Sequence, residues 1–142
     1  GGYLRAKGGK KQPFQRPSKP REFRSSAGLP IFVGRSNRQN DRLTTRTAEK
    51  WDLWFHTQKI HGSHVILSTS GEQPDAQSIA EAASLAAYFS QAQSSTKVPV
   101  DFTQVKFVKK PAAAKPGMVV YTNYQTVLAD PNEELVKHLL VK

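Results

Sequence analysis

Cysteine is absent from this 142-residue chain, which excludes disulfides, thiol catalysis and cysteine-ligated metal sites. A reducing compartment is therefore permitted. No apolar run approaches the ~20 residues that a membrane-spanning helix needs. The opening stretch is basic and polar with no apolar block, so no signal peptide is expected. No internal repeat is found. Acidic residues are scarce: Asp and Glu total 11 against 21 Lys and Arg, a formal net charge of +10. That excess suits a polyanion, whether RNA, DNA or an anionic membrane surface. The alternative is a basic protein without such a partner, but the clustering of the charge favours the polyanion. The chain opens Gly1-Gly2 without an initiator methionine, the pattern of a fragment of a longer protein or of a tag remnant.

Residues 1 to about 20 carry Lys7, Lys10, Lys11, Arg16 and Lys19 among glycines and prolines. Such a segment buries too little surface to offset its ordering entropy, so a flexible basic arm or linker is expected. The folded domain is expected over 21–142. Phe23–Ser26 and Leu29–Val33 flank Ala27-Gly28 and read as a hairpin. Ser36-x-x-Gln39 matches a capping box, which opens a helix from about Asn37 to Ala48. Trp51–Thr57 and His64–Thr69 read as strands. Pro74 suits a first helical position, with Asp75 and Glu81 near the positive helix start. That helix should reach Gln93, because Ile79, Ala82, Ala83, Ala86 and Phe89 recur at helical spacing. Val100–Lys109 is the next strand, a loop spans Pro111–Pro116, and Met118–Thr122 with Thr126–Ala129 form a hairpin around Asn123. Glu133–Leu140 closes the chain as a short helix. The pattern predicts an α+β fold: a mostly antiparallel mixed sheet of about six strands, one long helix and one or two short ones.

Arg38, Arg42 and Arg46 fall at i, i+4 and i+8, on one helix face, with Arg35 just before them. Guanidinium forks match phosphate geometry by donating paired hydrogen bonds. A solvated helix face is the alternative, but only Asp41 and Glu49 stand near to neutralise the stripe. Asn37, Asn40 and Asp41 crowd the first turn. They could meet a nucleotide, although capping and turn formation explain these residue types equally well.

On the Trp51–Thr57 strand, Trp51, Leu53 and Phe55 alternate with Asp52, Trp54 and His56. The first set reads as a core face. Trp54 and His56 are candidates to stack on bases. The competing possibility is a strand buried on both sides, with Trp54 beneath the long helix. His56, His61 and His64 raise a metal site, but H-x4-H-x2-H fits no common zinc pattern. Asp52 and His56 would stand ~13 Å apart on an extended strand, too far to pair. Ser63-His64 raises a nucleophile and its base, yet no oxyanion loop follows. Lys106, Lys109, Lys110 and Lys115 form a second basic cluster, with Lys106 and Lys110 expected on one strand face. Edge-strand protection is the other explanation for them.

Six stretches, in order, resemble the RNA-binding domain of the NFACT family. They are GLPIFVGRSNRQNDRLT (Gly28–Thr44), DLWFH (Asp52–His56), GSHVIL (Gly62–Leu67), EAASLAAYFS (Glu81–Ser90), VPVDFTQVKFVKKP (Val98–Pro111) and KPGMVVYTN (Lys115–Asn123). The resemblance implies a non-catalytic module that binds tRNA and the large ribosomal subunit in ribosome-associated quality control. Bacterial members support C-terminal alanine tailing of stalled nascent chains, with bond formation left to the ribosome. It implies a cytoplasmic, ribosome-associated protein with no cofactor, metal or membrane partner. It further implies that an NFACT-N domain, helix-hairpin-helix modules and a coiled coil belong to the same polypeptide. The RNA-binding candidates are then Arg35, Asn37, Arg38, Asn40, Asp41, Arg42, Arg46, Trp54, His56, Lys59, His64, Lys106, Lys109, Lys110 and Lys115. An older family label, fibronectin-binding protein, implies instead a surface adhesin. One departure stands out: Ala113 occupies a loop position where relatives commonly carry glycine, which tolerates positive φ.

Overall fold

The computed structural model describes residues 19–142. The predicted basic arm therefore lies almost entirely outside the described residues. The elements run β1 (Arg21–Arg24), β2 (Pro30–Val33), α1 (Asn37–Arg42), a π-helical turn (Leu43–Thr47), β3 (Leu53–Thr57) and β4 (Val65–Leu67). Then come α2 (Ala76–Tyr88), β5 (Val98–Gln104), a 3-10 turn (Val105–Phe107), β6 (Val108–Lys109), β7 (Val120–Tyr121), β8 (Gln125–Ala129) and α3 (Glu133–Leu139). Six strands form one antiparallel sheet in the order β1-β2-β4-β3-β5-β8, and β6 with β7 forms a separate ribbon. The α+β fold with about six strands is as the sequence pattern predicts.

The sheet is covered on both faces, and strand alternation explains how. Ile31, Val33, Leu53, Phe55, Val65 and Leu67 point to one side, where they pack on Ala82, Ala83, Leu85 and Ala86 of α2. The alanines let helix and sheet approach closely. Phe32, Trp54 and Ile66 point to the other side and meet Leu43, Val105, the ribbon residues Val108 and Tyr121, and Val119 just before β7. Two separate apolar clusters result, one on each side of the sheet.

Several elements depart from the sequence expectation. The second helix starts later and ends earlier than predicted. Asp75 is its N-cap, accepting from Ser78 N–H at 3.0 Å, and Pro74 precedes the helix. Glu81 does not serve the helix start. It is buried and accepts from the Ser26 amide at 2.7 Å, tying α2 to the β1–β2 turn. The predicted Val100–Lys109 strand is broken at Val105, whose N–H bonds to Asp52 O at 2.9 Å, while Lys106 N–H bonds to Lys50 O at 3.0 Å. The predicted final hairpin does not form: β7 pairs with β6, and β8 pairs with β5. Asn123 does turn the chain between them, at φ 55°.

Candidate nucleic-acid interface

Ser36 and Gln39 make the predicted helix start. Ser36 Oγ accepts from Gln39 N–H at 3.1 Å, and Gln39 Oε1 accepts from Arg35 N–H at 2.6 Å. The helix continues through Thr47, but its last turn widens, with Ala48 N–H reaching back five residues to Leu43 O at 2.9 Å. This turn matters for the arginines. Four residues of α-helix overshoot one turn by about 40°, so a strict i, i+4, i+8 stripe drifts around the axis. A π turn advances less per residue and opposes the drift. Arg38, Arg42 and Arg46 are all exposed, and none carries an ion pair among the described residues. Arg35 is also exposed, its Nε donating to Lys19 O at 2.8 Å.

The opposite face of the same segment is buried. Asn40 is 4% exposed, and its Oδ1 accepts from His64 N–H at 3.1 Å. Thr44 Oγ1 donates to His64 Nδ1 at 2.7 Å, and Trp54 Nε1 donates to the same nitrogen at 3.1 Å. Nδ1 is thus the acceptor, which places the ring proton on Nε2, where it is donated to Gly117 O at 3.1 Å. Burial, first, and the neighbouring His56, second, push His64 down to about 3, so it is a neutral imidazole at ordinary pH. Two glycines make this packing possible. A Cβ at Gly34 would overlap Asn40 Oδ1, and Gly117 sits at φ +83° against Asn37.

Gly117 also joins the loop over 111–119 to the helix, because its N–H donates to Asp41 Oδ1 at 3.2 Å. Lys110 Nζ lies 3.1 Å from the same carboxylate. Partial burial opposes ionisation of Asp41, but the Gly117 N–H and Lys110 outweigh it and hold the carboxyl below the usual range. Ala113 takes φ 64°, the left-handed conformation that glycine would adopt without strain.

The geometry corrects the role expected for several candidates. Trp54 is 1% exposed, so it offers no face to a base, and strand β3 is indeed buried on both sides. It lies opposite the long helix, however, not beneath it. Its ring packs 4.7 Å from Tyr121 and 5.4 Å from His64. The tryptophan at the surface is Trp51, placed by pattern on the core face but 47% exposed, because it precedes β3 in a turn. His64 and Asn40 are likewise interior groups in this conformation. Asp41 and Lys110 are engaged with each other. Lys106 and Lys110 do not share a strand face: Lys106 sits in the 3-10 turn, and Lys110 follows β6. Asp52 pins loops, accepting from Glu49 N–H at 2.9 Å and Thr69 N–H at 3.1 Å.

Asn37, Lys59, Lys106, Lys109 and Lys115 are exposed, and His56 is half-buried. The His56 ring lies parallel to Trp54, with centroids 5.7 Å apart and planes at 6°. Its Nδ1 is 2.7 Å from Thr57 O, and its Nε2 is 3.2 Å from Gly62 O. Burial lowers its pKa, against the raising effect of those two carbonyls. No group of three potential metal ligands converges among the described residues. Between the β3–β4 turn and the 111–119 loop lies a cleft of about 520 Å³, lined by Asn37, His56, Lys59, Gln91, Lys115 and Tyr121, among others. Gln91 and Tyr121 were not singled out by pattern. They lie 30 residues apart in sequence, and Tyr121, although inside the KPGMVVYTN stretch, has no charge or spacing that marks it as a site residue.

The family model described as the NFACT protein RNA binding domain matches residues 19–123. The chain belongs to this family. The Rqc2 homolog RqcH of Bacillus subtilis strain 168 is 49% identical over 138 residues, covering 96% of this chain and 24% of that protein. The Rqc2 homolog RqcH of Streptococcus suis strain 05ZYH33 is 38% identical over 141 residues, 99% of this chain and 25% of that protein. This NFACT domain thus spans about a quarter of the length of the curated relatives it matches. A solved structure, the C-terminal part of the fibronectin/fibrinogen-binding protein from Streptococcus suis, superposes with a TM-score of 0.88 at 37% identity. That match covers 99% of this NFACT domain and 55% of the solved chain. No helix among the described residues is long and apolar enough to cross a membrane.

Proposed function

We propose that this domain binds RNA in ribosome-associated quality control, engaging tRNA and the large ribosomal subunit within a longer polypeptide. It acts there as a non-catalytic, cytoplasmic module that supports C-terminal tailing of stalled nascent chains. The observation that carries this reading is the row of exposed arginines, Arg38, Arg42 and Arg46, without ion-pair partners among the described residues. Their helical segment is anchored from behind by Asn40, Thr44 and His64. Membership of the RNA-binding family and the names of the RqcH relatives support the same reading. Arg35 extends the row, and Lys59, Lys106, Lys109 and Lys115 widen the positive surface. Phosphate contacts of this kind release counterions, so affinity depends steeply on salt.

A filter-binding series across salt tests the proposal. With tRNA, log K should fall linearly with log salt. Each arginine lost from contact should reduce the slope by about 0.9. A flat salt response, or affinity for a neutral polymer equal to that for tRNA, would overturn it. The similar Streptococcus suis protein is named for binding fibronectin, so fibronectin serves as the competing partner in a second titration. Saturable binding to fibronectin with none to RNA would favour a surface adhesin.

A further inference from the structure

We infer that the cleft between the β3–β4 turn and the 111–119 loop is a subsite for one unpaired RNA nucleotide. This rests on the RNA-binding reading above and adds the place where a base enters. The cleft holds about 520 Å³, within the ~300–1,000 Å³ common for small-ligand sites. Its inner wall is aromatic and fixed. His56 lies parallel to buried Trp54, and Tyr121 packs 4.7 Å from Trp54 with the planes tilted at 53°. Tyr121 is held in place, because its hydroxyl donates to Asp101 Oδ2 at 2.6 Å. Asp101 is itself buried and also accepts from Thr126 Oγ1 at 2.6 Å and Gln58 Nε2 at 3.1 Å. Partly exposed rings supported from behind are suitable platforms for a nucleobase.

The mouth supplies the rest of a nucleotide's requirements. Lys59 and Lys115 are exposed there and offer two ammonium groups to a phosphate. Lys59 stands at φ 62°, a conformation that favours glycine. A lysine is present despite that strain, and strained backbone clusters at ligand sites. Asn37 and Gln91 line the same space with side-chain amides, which both donate and accept and so suit base edges. Asn37 opens the helix that carries Arg38 and Arg42, so the cleft adjoins that helix. Bases inside an A-form duplex are paired and stacked, so none can leave the helix to enter a cleft, and the wide minor groove shows a protein only their edges. The occupant is therefore a bulged, looped or terminal nucleotide.

The test compares a labelled RNA duplex with the same duplex carrying one bulged nucleotide, at fixed salt. The bulged RNA should bind about tenfold tighter, the effect of stacking one base. Met118→Trp fills the cleft from an exposed position and should abolish that preference while duplex affinity holds. Lys59→Gly removes the ammonium and suits the positive φ. It should weaken bulge binding without lowering the melting temperature, so unfolding cannot explain the loss. Equal affinity for the two RNAs, or a preference that survives both variants, overturns the subsite and leaves RNA binding intact. Failure to bind either RNA overturns both.

Discussion

The segment from Asn37 to Thr47 presents two faces of opposite kind. Outward stand Arg38, Arg42 and Arg46, exposed and unconstrained. Inward stand Asn40, Leu43 and Thr44, all buried and two of them bonded to His64. Trp, His and Asn are residue types that read bases in other settings, yet here Trp54, His64 and Asn40 face inward and hold the surface in place. The arginines, by contrast, contribute little to the fold. A side chain's chemistry does not decide whether it touches a ligand; its burial does. Inner-face substitutions should therefore change stability, and outer-face substitutions should change affinity.

The largest effect should come from Trp54→Ala. It empties the centre of the second apolar cluster and should cost ~3–5 kcal/mol, read by thermal or urea denaturation. A variant with an unchanged melting temperature but lost RNA binding would reverse the assignment. Next comes acid. His64 is held at about 3 when folded and returns to about 6.5 when unfolded. Below 6.5 the unfolded chain therefore binds the extra proton, and stability falls as pH drops toward 3. The slope reaches about 1.4 kcal/mol per pH unit. Urea midpoints from pH 7 to pH 5 check this, and His64→Gln should flatten the curve. An equally steep curve in that variant would assign the effect elsewhere.

On the outer face, Arg38→Ala with Arg42→Ala should weaken tRNA binding about tenfold and lower the salt slope by about 1.8, with the melting temperature unchanged. A marked loss of stability would make these arginines structural and erase the contrast between the faces. The smallest effect is expected in the 111–119 loop. Ala113→Gly relieves a left-handed alanine and should shift stability by only ~1 kcal/mol, upward where strain relief exceeds the added chain entropy. A fall of several kcal/mol would show that the Ala113 methyl packs against a neighbour.

Much of the fold could be read from local pattern. The β1–β2 hairpin, the Ser36 cap, the alanine face of α2 and the α3 helix all follow from interactions within a few residues. The errors share a cause. The Val100–Lys109 run is apolar and β-branched, so pattern alone reads it as one strand. Its break at Val105 is imposed by Asp52 and Lys50 from another loop. The missing final hairpin is similar, since β7 pairs with β6 and β8 with β5, partners that local sequence does not name. At the site, the arginine face was legible because helical spacing alone brings the three to one side, although the π turn that opposes their drift was not. The position of Trp54 was not, because alternation along β3 shows two faces without showing what covers the second.

The sequence by itself determined the charge excess, the absence of thiol chemistry, the Ser36 cap and the arginine spacing. These depend on composition and on contacts within one or two turns of chain. The tertiary structure alone decided that Trp54 and His64 are interior and that Trp51 is not. It also decided that Lys110 is engaged by Asp41, and that Asn37, Lys59, Gln91, Lys115 and Tyr121 surround one cleft. Those outcomes depend on which distant segments meet across the sheet, and burial is a property of that meeting.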